Sequence, residues 1–461
     1  MKAVKRLFGD RKFYLMVLGL AVPVMIQNGI TNFVSLLDNI MVGRLGTEQM
    51  SGVAIVNQLV FVFNLCVFGA VSGVSIFSSQ YFGRRDWDGM RNSFRLKLII
   101  CLILTIAAIG VLAGFGDRLV SYYLQSGENE GDVAETFEFG MQYLKIMLVG
   151  LVPFAVSQVY SSALREMGQT RIPMLAGVAA VAVNLLFNWL LIFGKCGFPE
   201  LGVGGAAIAT VLSRYVEVLI VILWTHLHAE QYIFIRGVYS SLHVPAELIK
   251  AVAVKGTPLM VNEALWSSGM AMLTQCYSMR GLSVVAALNI ASTITNLFNV
   301  VYIALGSSIG IVVGPQLGAG EMDEARDTAA KMITFSVSCC FIIGALMFIL
   351  APLFPRMYNT TDSVRSIATT IMRTTACFLP IFAFEHATYF TLRAGGKTII
   401  TFLFDSAFTW VLVVPLAYVL SRFTSLNIYA MYICVNLLDL IKCTIGFILV
   451  KKGVWVNRIV E

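Results

Sequence analysis

The sequence predicts an all-α integral membrane protein with twelve transmembrane helices in two pseudo-symmetric six-helix lobes, and three observations predict it. Of 461 residues, 58% are hydrophobic and 13% charged, against roughly 25% charged in a soluble domain. Apolar runs of about 18 to 25 residues recur between short polar breaks, the length that crosses a hydrocarbon layer about 30 Å thick at about 1.5 Å per residue. The first half of the chain also matches the second at a near-constant offset, and such self-similarity fixes the architecture before any single motif does.

The spans fall at 13–40, 52–78, 98–122, 141–163, 173–194, 204–226, 253–279, 286–313, 332–352, 367–391, 399–420 and 427–450. A longer, less apolar stretch, 227–252, separates an N-lobe, 1–226, from a C-lobe, 253–461. The opening MKAVKRLFGDRKFYLMVLGLAVPV has the basic start and apolar middle of a signal peptide. Its apolar stretch continues to Asp38 without a small-residue cleavage site, so it reads as an uncleaved first span. With the N-terminus inside, 22 of the 33 Lys and Arg residues fall in the loops on that side, the asymmetry of cytoplasmic loops. Both termini are then cytoplasmic, in a multi-pass protein of the cell inner (plasma) membrane. The acidic loop LQSGENEGDVAETFEF falls outside.

At an offset of 235, Asn28 falls on Glu263, Gly83 on Gly318, Asp86 on Glu321, Asp88 on Asp323 and Arg91 on Arg326; Pro23 and Gly46 recur as Pro258 and Gly281. Beyond the third span the offset becomes 228, pairing Lys145 with Arg373, Arg165 with Arg393 and Arg214 with Lys442. Six is an even number, so both copies start on the same side of the membrane. Parallel repeats of this kind enclose a cleft and commonly move by rocking, which favours a transporter over a receptor or a membrane enzyme.

Charge kept inside apolar runs marks the candidate residues, because an ionised side chain at a helix centre costs roughly 2.5 to 3.5 kcal/mol on insertion. Asp38 stands in PVMIQNGITNFVSLLDNIMVGRLG. It could exchange a proton or hold a small cation; the bland alternative is a wetted, inert helix end. Asn184 and Asn188, spaced i, i+4, present two amides from one helix face. They serve either Asp38 or helix packing. Glu263 lies near mid-membrane after Asn262 and one turn before Trp266, where an acid beside an indole suits an organic cation; an internally paired Glu is the alternative. Gln27 and Asn28, the repeat partners of Asn262 and Glu263, complete the expected cargo-binding set. Glu385 and Asp405 are further candidates for the coupling ion, with Arg393 or Lys397 near enough to neutralise them; His386 beside them is either a proton relay or a packing residue. Arg214 with Glu217, and Asp439 with Lys442, are i, i+3 pairs that read as self-neutralising and structural. The unpaired balance is acidic, so cationic cargo is expected.

Other classes are excluded. The net charge of +7 is accounted for by loop orientation and implies no nucleic-acid partner. Nine scattered cysteines form no CxxC or Cys/His cluster, so no firm metal site is expected beyond sodium at Asp38 or Glu263. Walker A, HExxH and credible GxSxG motifs are absent, so no enzyme and no cofactor is expected. Uphill transport would then draw on an ion gradient.

The first-span run quoted above, SQYFGRRD with its repeat PQLGAGEMDEAR, the LREMGQTR and LRAGGKT turns and NLLFNWLLIFGKCGFPELGVGGAAIATVLSR together resemble the multidrug and toxic compound extrusion (MATE) family of bacterial transporters. The resemblance implies twelve helices in two lobes and efflux of cationic, often aromatic, drugs in antiport with protons or sodium. It puts the family's first-helix aspartate on Asp38, its seventh-helix glutamate on Glu263 and its fifth-helix asparagine on Asn184. Two departures stand out: Asn188 replaces an Asp carried by some members, and the tenth-helix aspartate of one branch falls on Phe382, with Glu385 a turn away. The expected partners are drugs, protons or sodium and the lipid bilayer, the expected state a monomer. The alternative within the wider superfamily is a flippase for lipid-linked or amphipathic substrates.

Overall fold

A computed structural model describes residues 7–125, 132–358 and 360–460. Residues 1–6 of the basic N-terminus and 126–131 of the acidic loop lie outside them. The described residues fold into twelve long helices: α1 (Arg11–Gly43), α2 (Thr47–Arg84), α3 (Trp87–Gln125), α4 (Val133–Glu166, with a 3₁₀ turn at Leu148–Gly150), α5 (Arg171–Ile192), α6 (Gly202–Leu227), α7 (Ala246–Ser278), α8 (Leu282–Ala319), α9 (Met322–Leu350), α10 (Asp362–Ala394), α11 (Thr398–Phe423) and α12 (Ile428–Lys451). Each extends past or close to its apolar run because polar ends continue the backbone ladder. Eleven are long and apolar enough to cross a membrane. The exception is α7, whose apolar run is diluted by Lys255, Asn262 and Glu263.

The repeat governs where helices begin and end. The bounds of α1, α2 and the start of α3, shifted by 235, are the bounds of α7, α8 and the start of α9. The turns agree as well: Gly46 and Gly281 both take positive φ, 152° and 115°, and Gly168 and Gly396 take 76° and 69°, a region a side chain disfavours. Caps are local: Asp132 accepts from the Ala134 and Glu135 amides at 2.8 and 3.2 Å, and Asn427 from Ala430 at 2.9 Å. They satisfy first-turn donors left without a helical partner.

By its internal contacts the chain divides into two compact units. One comprises α1 up to Met25, the end of α2 over Ser79–Asp86, and everything from Ala251 onward; the other comprises Ile26–Ser78 and Trp87–Lys250. In the first unit Val17 and Ala21 of α1 join the core of Leu305, Ile309 and Val313 of α8 and Leu392 of α10. There α2 and α8 cross so closely that a Cβ on Gly83 would strike the carbonyl oxygen of Pro315, and one on Gly318 that of Gln80. Gln80 and Pro315 are themselves repeat partners, so the crossing obeys the repeat symmetry. The outer faces are apolar: on α3, Leu102, Ile103 and Ile106 are 52%, 61% and 62% exposed, and hydrocarbon is the solvent that such a face requires. The chain is a multi-pass membrane protein.

Candidate functional site

In the unit holding α5, the i, i+4 asparagines meet Asp38. Asn188 donates Nδ2 to Asp38 Oδ1 at 2.6 Å and to Asn184 Oδ1 at 3.2 Å. The Asn184 amide lies 2.9 and 3.2 Å from the two Asp38 oxygens, and with its nitrogen turned toward them it donates to both. With its oxygen toward them it can instead accept the proton of a neutral carboxyl, while Nδ2 reaches Thr210 Oγ1 at 3.3 Å. One amide can thus serve either state of the acid. Asn184 and Asn188 are buried and Asp38 half-buried. Among the described residues no Lys or Arg forms an ion pair with Asp38. Thr210, not anticipated from the sequence, sits on α6 and reaches the site through Asn184.

The second cluster belongs to the other unit. Tyr389 of α10 donates its hydroxyl to Glu263 Oε1 at 3.1 Å. Asn262 reaches the Tyr389 oxygen at 3.4 Å and Asp405 Oδ2 at 3.0 Å. Asn262 is itself pinned, taking the Ser406 amide at 3.2 Å and its hydroxyl at 2.7 Å on Oδ1. Asp405 stands in a π-helical turn, Leu403–Ala407, inside α11, a widened turn frequent at functional sites. Lys442 Nζ lies 3.0 Å from Asp405 Oδ1 and 3.5 Å from Glu385 Oε2. Glu263, Glu385 and Asp405 are therefore brought into one hydrogen-bonded and ion-paired group.

Several expectations are corrected. The cation at ion-pair distance from Glu385 and Asp405 is Lys442, not Arg393 or Lys397, and Lys442 faces Asp439 of its own helix as well. Arg214 keeps Glu217 of its own helix as a charge partner, and it also donates to the Gly150 carbonyl at 3.2 Å and lies over the Phe154 ring at 5.1 Å. Helix spacing offered only the i, i+3 partner, and packing adds Asp405 and Glu385 to Lys442 from other helices. His386 packs against Tyr302, Tyr389 and Phe390, the packing alternative. Phe382 stacks on Phe378. Trp266 is 39% exposed and joins neither cluster. Gln27 accepts from Arg165 at 2.9 Å, and Asn28 is half-buried beside it on α1.

The chain has relatives among known proteins over nearly its whole length. The MatE family model matches residues 23–190 and 258–419, one match in each half. A curated relative from Thermotoga maritima, "Probable multidrug resistance protein NorM", is 24% identical over 96% of this chain and 93% of its own. Among solved structures, MATE in complex with MaD3S superposes with a TM-score of 0.86 at 22% identity, covering 99% of both chains. A second, described as the outward-facing conformation of a multidrug resistance MATE family transporter, gives 0.84 at 22% identity over 98% of this chain and 99% of that one.

Proposed function

The chain belongs to the MATE family of membrane transporters, and from that premise we propose that it is a multidrug efflux antiporter, exporting organic, aromatic cations in exchange for protons or sodium. The observation that carries the reading is Asp38: a half-buried carboxylate whose hydrogen-bond partners are neutral amides. Such a group must take its counter-charge from the medium, as proton or sodium, whenever it is closed off from water. A coupling ion shifts a conformational equilibrium only if it binds the two conformations unequally. In this reading the halves 1–226 and 253–461, joined by 227–252, rock to expose Asp38 alternately to each side. Asn184 and Asn188 hold the carboxylate in place, and uptake of the ion favours cargo release outside.

Glu263, Glu385 and Asp405 form the second coupling group, positioned by Asn262. Cargo is drawn to Asp38 and Glu263, with Gln27, Asn28 and Trp266 near them in sequence. The protein acts as a monomer in the plasma membrane with both termini in the cytoplasm.

Uptake of a fluorescent cation from the medium by inside-out vesicles tests the reading, energised in turn by a pH gradient and a sodium gradient. Wild-type protein should concentrate the dye under one gradient and lose that ability when the gradient is collapsed. Asp38→Asn and Glu263→Gln should each abolish accumulation while leaving expression intact. Wild-type transport in both variants would remove the mechanism. Gradient-independent movement of a lipid-linked anion would favour the flippase alternative.

A further inference from the structure

The carboxylates of α10 and α11 carry a cation of their own. Lys442 reaches Asp405 at 3.0 Å and Glu385 at 3.5 Å with its side chain 11% exposed, and it lies over the Phe404 ring at 5.3 Å. The place is built around these groups. Asn262 fixes the other Asp405 oxygen, and Ser406 fixes Asn262. Glu385, only 7% exposed, keeps Oε1 buried without a partner, so the cluster holds a carboxylate oxygen to spare. The charged and titratable groups facing Lys442 are Glu385 and His386 of α10, Asp405 of α11, Tyr302 of α8 and Asp439 and Cys443 of its own helix. Three acids thus surround one lysine.

Carboxylates converging from separate helices are the oxygen donors that a hard cation takes. A tethered ammonium competes for that place at an effective concentration of millimolar or more without leaving the protein. We propose that Lys442 is a resident counter-ion: its ammonium fills the place between Asp405 and Glu385 that a sodium ion would otherwise occupy. This cluster therefore binds no sodium, and loss of the lysine creates a sodium site. The inference deepens the antiport reading by restricting which ion the second coupling group can use, and it rests on that reading for its role in transport alone.

The test is sodium binding, read by thermal unfolding of protein in lipid nanodiscs with choline chloride holding ionic strength constant. An Asp38→Asn background removes the other candidate ion site. In that background the midpoint should not respond to sodium. Adding Lys442→Met should produce a saturable, sodium-specific rise on the order of 5 °C, and adding Asp405→Asn as well should remove it. Lys442→Arg should stay silent to sodium.

A sodium response in the Asp38→Asn protein that Asp405→Asn abolishes would overturn the proposal, as would a folded Lys442→Met protein that binds none. Failure of both Lys442→Met and Lys442→Gln to fold in sodium as well as in choline would also overturn it, because sodium should stand in for the lost ammonium. A protein that moves no drug yet gives the expected sodium pattern would sink the antiport reading and leave this one standing.

Discussion

Each half of the molecule keeps carboxylates among its helices, and the two halves satisfy them in opposite ways. Among the described residues Asp38 is held by amides, which can stabilise its charge but not cancel it. Asp405 and Glu385 share Lys442, so that cluster is partly neutralised before any ion arrives. Repeated architecture therefore does not imply repeated chemistry. At the offset of 235 Asp38 falls on Leu273, and at 228 Asp405 falls on Gly177. The halves share helices and turns while placing their acids at different registers.

The largest expected effect breaks this comparison at its more exposed end. Asp38→Asn keeps the shape and the amide contacts but removes the exchangeable charge. Gradient-driven dye accumulation in vesicles should fall to the level of protein-free vesicles, a loss of about two orders of magnitude if the coupling ion contributes about 2.7 kcal/mol. Retention of even a tenth of the wild-type rate would move the coupling to the other half.

The second test uses the repeat as its own control. Lys97 and Glu166 form a buried ion pair at 2.5 Å, with side chains 0% and 8% exposed, joined through Ser162 at 3.0 and 2.6 Å. At the corresponding places of the other half stand Met332 and Ala394, both buried. The same packing position thus accepts either an ion pair or an apolar couple. Removing one member leaves an uncompensated charge, so Lys97→Met should destabilise by about 3 to 5 kcal/mol, whereas replacing a whole buried pair with apolar groups is often neutral. Thermal denaturation of purified protein should therefore show a large drop for Lys97→Met and recovery of most of it in Lys97→Met with Glu166→Ala. A double variant no better than the single one would mean that the pair does more than balance charge.

Asn188→Ala probes the amide cage with a smaller change. It removes the 2.6 Å donor to Asp38 while Asn184 remains. A hydrogen bond donated to the ionised carboxylate contributes roughly 1.5 to 3 kcal/mol and favours the bare charge over the proton-bound acid, so its loss should tighten proton binding by roughly one to two orders of magnitude. The checking measurement is the proton concentration giving half-maximal transport, which should fall while the rate at saturating proton is retained. A fall in the saturated rate alone would assign Asn188 to packing.

What could be read from the sequence follows the range of the physics involved. Helices and their order were legible because crossing a bilayer demands long apolar runs, and the turns because Gly46, Gly281, Gly168 and Gly396 recur at fixed offsets. The Asp38 cage was legible too, since i, i+4 spacing puts Asn184 and Asn188 on one face of α5. Lys442 was not. Its partners lie 37 and 57 residues away on other helices, while Asp439 stood three residues off as an obvious local match. The π-helical turn that carries Asp405 leaves no mark in hydropathy, and Tyr389 reads as one more aromatic residue in an apolar run.

The smallest expected effect sits at a turn whose left-handed residue carries a side chain in one half and none in the other. The turn closing α2 and the turn closing α8 make the same hydrogen bonds, Arg85 N to Phe82 O and Asp86 N to Tyr81 O in one, Gly320 N to Leu317 O and Glu321 N to Gln316 O in the other. Both central residues take positive φ, 60° at Arg85 and 85° at Gly320. A left-handed residue with a Cβ costs roughly 1 to 2 kcal/mol, so Arg85→Gly should relieve strain that the other half avoids. Against this stands the greater backbone freedom that glycine loses on folding, roughly 0.5 to 1 kcal/mol. Relief of strain outweighs that loss, so the variant should be more stable by a few tenths to about 1 kcal/mol, seen as a rise of one to a few degrees in the unfolding midpoint. A fall in the midpoint would show that the Arg85 side chain makes contacts whose loss exceeds the strain.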